Sequence, residues 1–359
     1  MLTYSWINRI LFLCLISILA CSKEDDPTPV NPGSYVDAAA FFESIDFQGT
    51  VLIKRGSTDV LRSGFGYANA EGGTWNTPTT KFRIGSVSKT FTGMGVIQLW
   101  REGLLTSLDQ PLSDFDPEFP HGDQLTIYHL LTHQSGLPDY VGAFEGLAKS
   151  GEYFEPEDIY EVIAESVAED GLQFTPGQNV QYSNSNFLLA AILIEELSGQ
   201  GYHAYIQEKV LHPLGMDQTE PGANTITGAD YAQGYHGQEN ASNYPMYIAL
   251  GAGDWTSTVA DLEKWCTAVM SDQWFTPAEK DLIFGGDVPD DATAFGVAWF
   301  KSRINGQSFF WHGGDIDGFS ALIGFVPAEE GIVITLSNQQ DDTGSMRNQI
   351  METILTEEF

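Results

Sequence analysis

The sequence predicts an α+β fold. Strands from both ends of the chain make one antiparallel sheet flanked by helices, and a mostly helical subdomain is inserted between them. Three observations predict it. β-rich runs separated by turn residues lie near the start, at GTVLIKRG and VLRSGFGYAN, and again near the end, at AFGVAWFKSRI, QSFFWHGG, FSALIGFVP and GIVITLSN. From about residue 106 to about residue 293, helical periodicity and long loops replace that alternation. With 42% hydrophobic and 18% charged residues over 359 positions, the chain is globular and long enough for a sizeable core.

The first twenty residues stand apart. One basic residue, Arg9, precedes the apolar run ILFLCLISILA, which is too short to span a bilayer as a mature helix and suits the hydrophobic region of a secretory signal. The run ends in Ile-Leu-Ala-Cys, which resembles a bacterial lipoprotein processing site. On that reading residues 1–20 are a signal peptide and Cys21 carries the lipid that holds the protein to a membrane. Residues 21–35, rich in Pro, Asp and Gly from Asp25 to Ser34, are then a flexible tether, and residues 36–359 are the folded domain. The expected location is the periplasm or the outer-membrane surface. Of the three cysteines, Cys14 leaves with the signal and Cys21 is acylated, so Cys266 has no partner for an intramolecular disulfide.

Within the domain, VDAAAFFESIDF reads as a short helix, and the two strands after it are joined by a tight turn at Gly56-Ser57-Thr58-Asp59. A helix opens at Ser86 and runs toward Gly103, with Phe91, Met94, Ile97 and Trp100 on a core-facing stripe. EDIYEVIAESVAE and SNFLLAAILIEELSG read as amphipathic helices, the second ending at a glycine suited to a C-cap. Ser345 to Leu355 is a C-terminal helix. The cleft between sheet and insertion is the natural ligand site.

The 49 acidic residues against 16 basic ones give a formal net charge of −33, which repels nucleic acid and anionic surfaces and excludes nucleic-acid binding as a function. Three stretches carry chemistry. In FRIGSVSKTFTG, Ser86 lies three residues before Lys89, on one helical face. A serine hydroxyl needs a base within reach, and a lysine serves as one only where burial or nearby positive charge lowers its pKa. Phe82, Ile84, Phe91 and Met94 supply apolar surroundings. In QYSNSNF, Tyr182 is a candidate proton relay, and Asn184 either contacts a substrate amide, orients the lysine or caps a helix. In FFWHGGDIDGF, His312, Gly313 and Gly314 end a β-run where a substrate backbone can approach closely.

These three motifs, in this order, resemble the serine β-lactamase and penicillin-binding-protein-like hydrolases, nearest to the class C β-lactamase, D-aminopeptidase and esterase branch. The resemblance runs from about Phe42 to Asn338. It includes LLTHQSGLPDY, the TPG before the tyrosine motif, HPLGMDQT and GAGDWTSTVADLEKW. It implies a β-lactamase/transpeptidase-like fold and an acyl-enzyme mechanism with no cofactor and no metal. Ser86 is then the nucleophile and Lys89 its proton acceptor or the group that tunes Tyr182. Tyr182 is the general base and later acid, and Asn184 the substrate-amide contact. His312, Gly313 and Gly314 form the third motif, the Ser86 and Asp315 N–H groups bind the oxyanion, and Tyr140 lines the cleft. His133, within LLTHQSGL, reads as scaffold.

The third motif departs from the family's Lys-Thr-Gly or His-Thr-Gly, because Gly313 brings no hydroxyl for a substrate carboxylate and Asp315 and Asp317 add negative charge. The expectation is therefore a small-molecule or peptide substrate with an ester or amide bond and no such carboxylate: a small ester, a D-amino-acid peptide or a peptidoglycan-derived peptide. Gly313→Thr is expected to improve binding of carboxylate-bearing substrates. The alternatives are a β-lactamase or DD-carboxypeptidase and, in another class, a catalytically silent envelope binding module of the same fold. No Gly-x-Ser-x-Gly elbow and no His-Glu-x-x-His occurs. The oligomeric state has no sequence signal.

Overall fold

The computed structural model describes residues 38–358 apart from positions 242, 286, 287, 290, 291, 305 and 342. The expected signal peptide, Cys21 and the tether lie outside the described residues.

The chain opens with a short helix, α1 (Ala38–Ser44), and a hairpin of β1 (Gly49–Arg55) and β2 (Thr58–Phe65). The turn between them is confined to Gly56 and Ser57, because Thr58 and Asp59 already pair with Arg55 and Lys54. Five further strands follow the insertion: β3 (Thr293–Phe295), β4 (Phe300–Ile304), β5 (Gln307–Ile316), β6 (Phe319–Val326) and β7 (Gly331–Ser337). They form a meander, and β7 then pairs antiparallel with β1 in the register Gly49↔Ser337 to Arg55↔Gly331. The resulting seven-stranded sheet runs β3-β4-β5-β6-β7-β1-β2, so its two chain ends meet in the interior of the sheet.

Every residue of β6 and β7 is buried, because helices cover both faces. On one face α6 (Val259–Met270) packs against β1, β6 and β7. On the other, Leu355 and Met351 of the C-terminal helix α7 (Ser345–Glu357) pack on Phe309 and Val326. Phe41 and Phe42 of α1 stack edge-on with each other, and Phe42 continues the cluster to Phe47 and Phe65.

The insertion holds α3 (Val141–Lys149), α4 (Pro156–Asp170) and α5 (Ser185–Ser198). It also contains short strands that the periodicity does not reveal: Trp255–Ser257 pairs with both Phe82–Arg83 and Glu220–Pro221. The expected amphipathic pattern of α5 is corrected. Ser185 through Ala191, with Leu193 and Ile194, are all buried, because α5 is enclosed by α4 and by α2 (Lys89–Arg101). A helix buried all round has no polar stripe to read. Its end is as expected, with Gly199 in the left-handed region at φ 68°.

One contact ties the sheet to the turn that leads into α2. The distal half of β5 runs past the end of β4, and its Gly314 lies against the turn at Ile84–Ser86. A Cβ built on Gly314 would stand 2.0 Å from the Ile84 carbonyl oxygen and 3.0 Å from the Ser86 nitrogen. Gly85 faces the same strand at φ 49°, where a Cβ would stand 2.9 Å from the Asp315 nitrogen. Gly314→Ala is therefore expected to lower unfolding stability by about 1–3 kcal/mol, as overpacking does. Gly146→Ala, inside α3 with open space around it, is expected to raise stability by about 0.5–1 kcal/mol. Urea titration of the two variants checks both signs.

Candidate active site

Ser86 sits in a 3₁₀ turn, Gly85–Ser88, that leads into α2. The turn keeps residues i and i+3 on one side. The Ser86 hydroxyl lies 3.0 Å from the Lys89 Nζ. It also faces the Tyr182 phenol, whose pKa it draws downward.

Lys89 is fully buried. Its Nζ contacts three oxygens: Ser86 Oγ, Asn184 Oδ1 at 2.8 Å and the Ala252 carbonyl at 2.5 Å. The nitrogen also lies 5.0 Å from the Tyr182 ring centre and 5.6 Å from that of Phe187. Burial pulls its pKa down to about 7, against the opposing pull of Asp139 and Asp254. This oxygen set suits both protonation states. An ammonium donates to all three. A neutral amine donates to the two carbonyls, which only accept, and offers its lone pair to the hydroxyl, which can also donate.

Asn184 is committed at both ends of its amide. Its Oδ1 accepts from Lys89, and its Nδ2 and backbone N–H donate to Asp139 Oδ2 at 2.8 and 2.9 Å. Of the three readings open to it, orientation of the lysine is the one the geometry occupies. It is the first residue before α5 but makes no side-chain cap.

Tyr182 faces the cleft with 38% of its surface exposed. Crowding of its hydroxyl by protein atoms raises the phenol pKa well above 10, and the charges of Asp139 and Asp315 add to this. The Ser86 hydroxyl and the charge of Arg347 oppose it.

Ser86, Asn184 and Tyr182 line a cleft of about 380 Å³, together with Tyr140, Asp315 and Asp317, and Lys89 is buried behind Ser86. Tyr140 is largely buried, and its hydroxyl donates to the Ile248 carbonyl. At the rim Asp317 holds Lys149 at 3.2 Å and His236 at 2.8 Å. The backbones of Ser86 and Asp315 run side by side, as the Gly85 and Gly314 contacts require, so their N–H groups are candidates for one oxyanion pocket.

The third motif needs correction. His312, Gly313 and Gly314 are not among the residues lining the cleft. His312 is buried, with Nδ1 2.6 Å from the Gly313 carbonyl. Burial, and then the charge of Lys89, push its pKa down to about 3, so it is neutral and enclosed. The motif lies mid-strand and shapes the wall behind the site. Nor is the space beside Gly313 free: a Cβ there would stand 2.7 Å from Arg347 Nη1. Gly313→Thr would displace that guanidinium, so the expected simple gain of a hydroxyl is withdrawn. Arg347, from α7, pairs with Asp315 at 2.7 Å.

Sequence reasoning missed three groups here. Asp139, in the quoted LPDY, anchors Asn184. Ala252, in the quoted GAGDW, supplies a backbone carbonyl. Arg347 comes from a helix with no motif at all.

A family model described as Beta-lactamase matches residues 41–357. Among curated proteins, penicillin-binding protein 4* of Bacillus subtilis is 30% identical over 84% of this chain and 70% of its own length. Among solved structures, a penicillin binding protein from Bacillus halodurans is 27% identical with a TM-score of 0.75, over 87% of this chain and 97% of that one. A D-amino acid amidase from Ochrobactrum anthropi, solved with L-phenylalanine, shares the fold at 22% identity and a TM-score of 0.75, over 88% and 95%. The fold is thus that of the β-lactamases and transpeptidases. The chain belongs to the β-lactamase family of serine hydrolases.

Proposed function

We propose that the protein hydrolyses an ester or amide through an acyl-enzyme on Ser86. The observation that carries this reading is the fully buried Lys89 amine, 3.0 Å from the Ser86 hydroxyl on the floor of the cleft. The two pKa shifts divide the work. Neutral Lys89 takes the hydroxyl proton as Ser86 Oγ attacks the substrate carbonyl carbon. The carbonyl oxygen gains negative charge, and the Ser86 and Asp315 N–H groups face it. Tyr182, kept protonated, donates to the leaving alcohol or amine as the tetrahedral species collapses, and the proton that Lys89 took from Ser86 then returns to the phenolate. A water then gives its proton to Lys89 as it attacks the acyl carbon, and that proton passes to Ser86 Oγ as the ester bond breaks, releasing the acid and returning Ser86 to its hydroxyl.

The substrate we infer carries no carboxylate beside the scissile bond. Asp315 already neutralises Arg347, and at the rim Asp317 and Glu145 share one cation, Lys149, at 3.2 and 3.4 Å, so the balance there stays negative. The shared fold with a D-amino acid amidase supports an amide substrate, and small esters fit the same chemistry. We also propose that Cys21 anchors the protein at the cell envelope. The Ile-Leu-Ala-Cys sequence supports this, and retention in the membrane fraction that is lost in Cys21→Ser would test it.

A fluorophosphonate is expected to add one adduct to the wild type and none to Ser86→Ala, read by intact mass. On a p-nitrophenyl acyl ester, Ser86→Ala should lower turnover by on the order of 10³-fold or more. A near-normal rate in that variant would refute the assignment, and absence of any adduct favours the silent binding module. With nitrocefin in parallel, the ester is expected to be the faster substrate.

The pH dependence follows from the sign of the lysine shift. Lys89 must be neutral to act, and it protonates as pH falls through about 7. kcat/KM is expected to drop along an acid limb centred near that value and to level off above it. A limb near 10, where an exposed lysine titrates, would show that Lys89 is not the base.

A further inference from the structure

We propose that His133, which no motif role accounts for, is the positioning residue for Tyr182: its ring and its main chain together clamp residues 181–183. This rests on the reading of Tyr182 as a participant in the reaction. The clamp has three points. The imidazole stacks on the Tyr182 ring at 4.3 Å between centres and 24° between planes. Its Nδ1 accepts the N–H of Ser183 at 3.1 Å. Its carbonyl oxygen accepts the N–H of Gln181 at 2.9 Å. The residues before and after the tyrosine are thus tied to one histidine, and the tyrosine ring lies on it.

The tautomer is fixed by what surrounds it. The Ser183 N–H can only donate, so Nδ1 presents its lone pair, and the Asn186 amide turns Nδ2 toward it at 3.1 Å and leaves Oδ1 to accept from Ser135 Oγ at 2.5 Å. Two donors converge on Nδ1, so that nitrogen holds the lone pair and the proton resides on Nε2. Nε2 is buried and makes no hydrogen bond to the described residues. The polar contacts of the ring therefore go to the tyrosine segment and its neighbour. Phe295 and Phe187 close the remaining sides at 4.5 and 5.2 Å between ring centres. Burial, and then the charge of Lys89, hold the ring neutral.

The backbone shows that the position is constrained. His133 has φ 55°, in the left-handed region where a bulky residue is strained. The same loop is tied to the tyrosine arm by Gly177 N–H to Gln134 O and Gln173 N–H to Gly136 O, at 2.9 and 2.8 Å. The strain is thus held by contacts to one segment, the one that presents Tyr182 to Ser86. A ring displaced by about 1 Å can cost on the order of 10²-fold in rate.

The test is a double-mutant cycle on the full-length protein with the p-nitrophenyl ester. His133→Asn keeps a residue that tolerates positive φ and can accept from Ser183 N–H, but removes the stacked ring. We expect kcat to fall about 10–100-fold with KM changed less than about two-fold. In a Tyr182→Phe background the same change should add less than about two-fold, because the ring acts through the phenol. Equal losses in both backgrounds, or an unchanged kcat, would overturn the proposal. A second measurement needs no variant. Long-range 1H–15N correlation on the wild type should show His133 neutral with its proton on Nε2 from pH 5 to 9, and a proton on Nδ1 would overturn the clamp even if His133→Asn does not fold. Failure of the hydrolase reading looks different, as no adduct and no turnover in the wild type.

Discussion

A lysine amine held out of water governs the architecture of the site. Lys89 is worth placing there only if its charge can be relinquished near neutral pH, and that requires both full burial and a shell that tolerates two protonation states. The shell comes from three distant points of the chain: Ser86 on the turn before α2, Asn184 at the start of α5 and the Ala252 carbonyl in the loop before α6. None of these can shift alone. α2 and α5 pack against each other along nearly fully buried surfaces, which explains why α5 carries no polar stripe although it borders a catalytic cleft. The price of a buried amine is met by the rigidity of the two helices that enclose it.

The sheet performs the complementary task. Because β7 pairs with β1, the last strands of the chain are locked to the first, and the meander carries β5 past the Ser86 turn. Two glycines then let main chain approach main chain. Gly85 accepts a left-handed backbone, and Gly314 leaves no Cβ between the strand and the Ile84 carbonyl. Nucleophile and oxyanion wall are thus juxtaposed by backbone, which reorganises less than side chains when charge develops on the substrate.

Much of this was legible in the sequence, for physical reasons. Ser86 and Lys89 are close in the chain and follow helical spacing, so their proximity needs no tertiary information. The outer strands and the terminal helix are set by alternation and by turn residues, which are local signals. The parts that escaped are non-local or carried by main chain. Any residue can present a carbonyl, so Ala252 has no compositional mark. Asp139 and Asn184 are separated by 45 positions, and only the fold shows that one holds the other. His312 was expected to face the substrate because it sits in a family motif, but alternation along β5 turns it inward. His133 reads as scaffold from sequence, and its contacts to the main chain of Gln181 and Ser183 are of a kind that a residue-type motif does not display.

The oxyanion wall also constrains which substrates the cleft prefers. In the proposed mechanism Asp315 offers a backbone N–H to the oxyanion, while its carboxylate pairs with Arg347 and accepts from Ser320. A negatively charged residue next to a developing oxyanion is unfavourable unless its charge is balanced, and the guanidinium at 2.7 Å balances it. The same pairing withdraws Arg347 from substrate. A carboxylate entering beside Gly313 would have to compete with Asp315 for the guanidinium and leave Asp315 uncompensated against the oxyanion. The balance that permits chemistry at Asp315 therefore disfavours acidic substrates. In this chain the glycine at position 313 is the space that Arg347 needs in order to reach its partner.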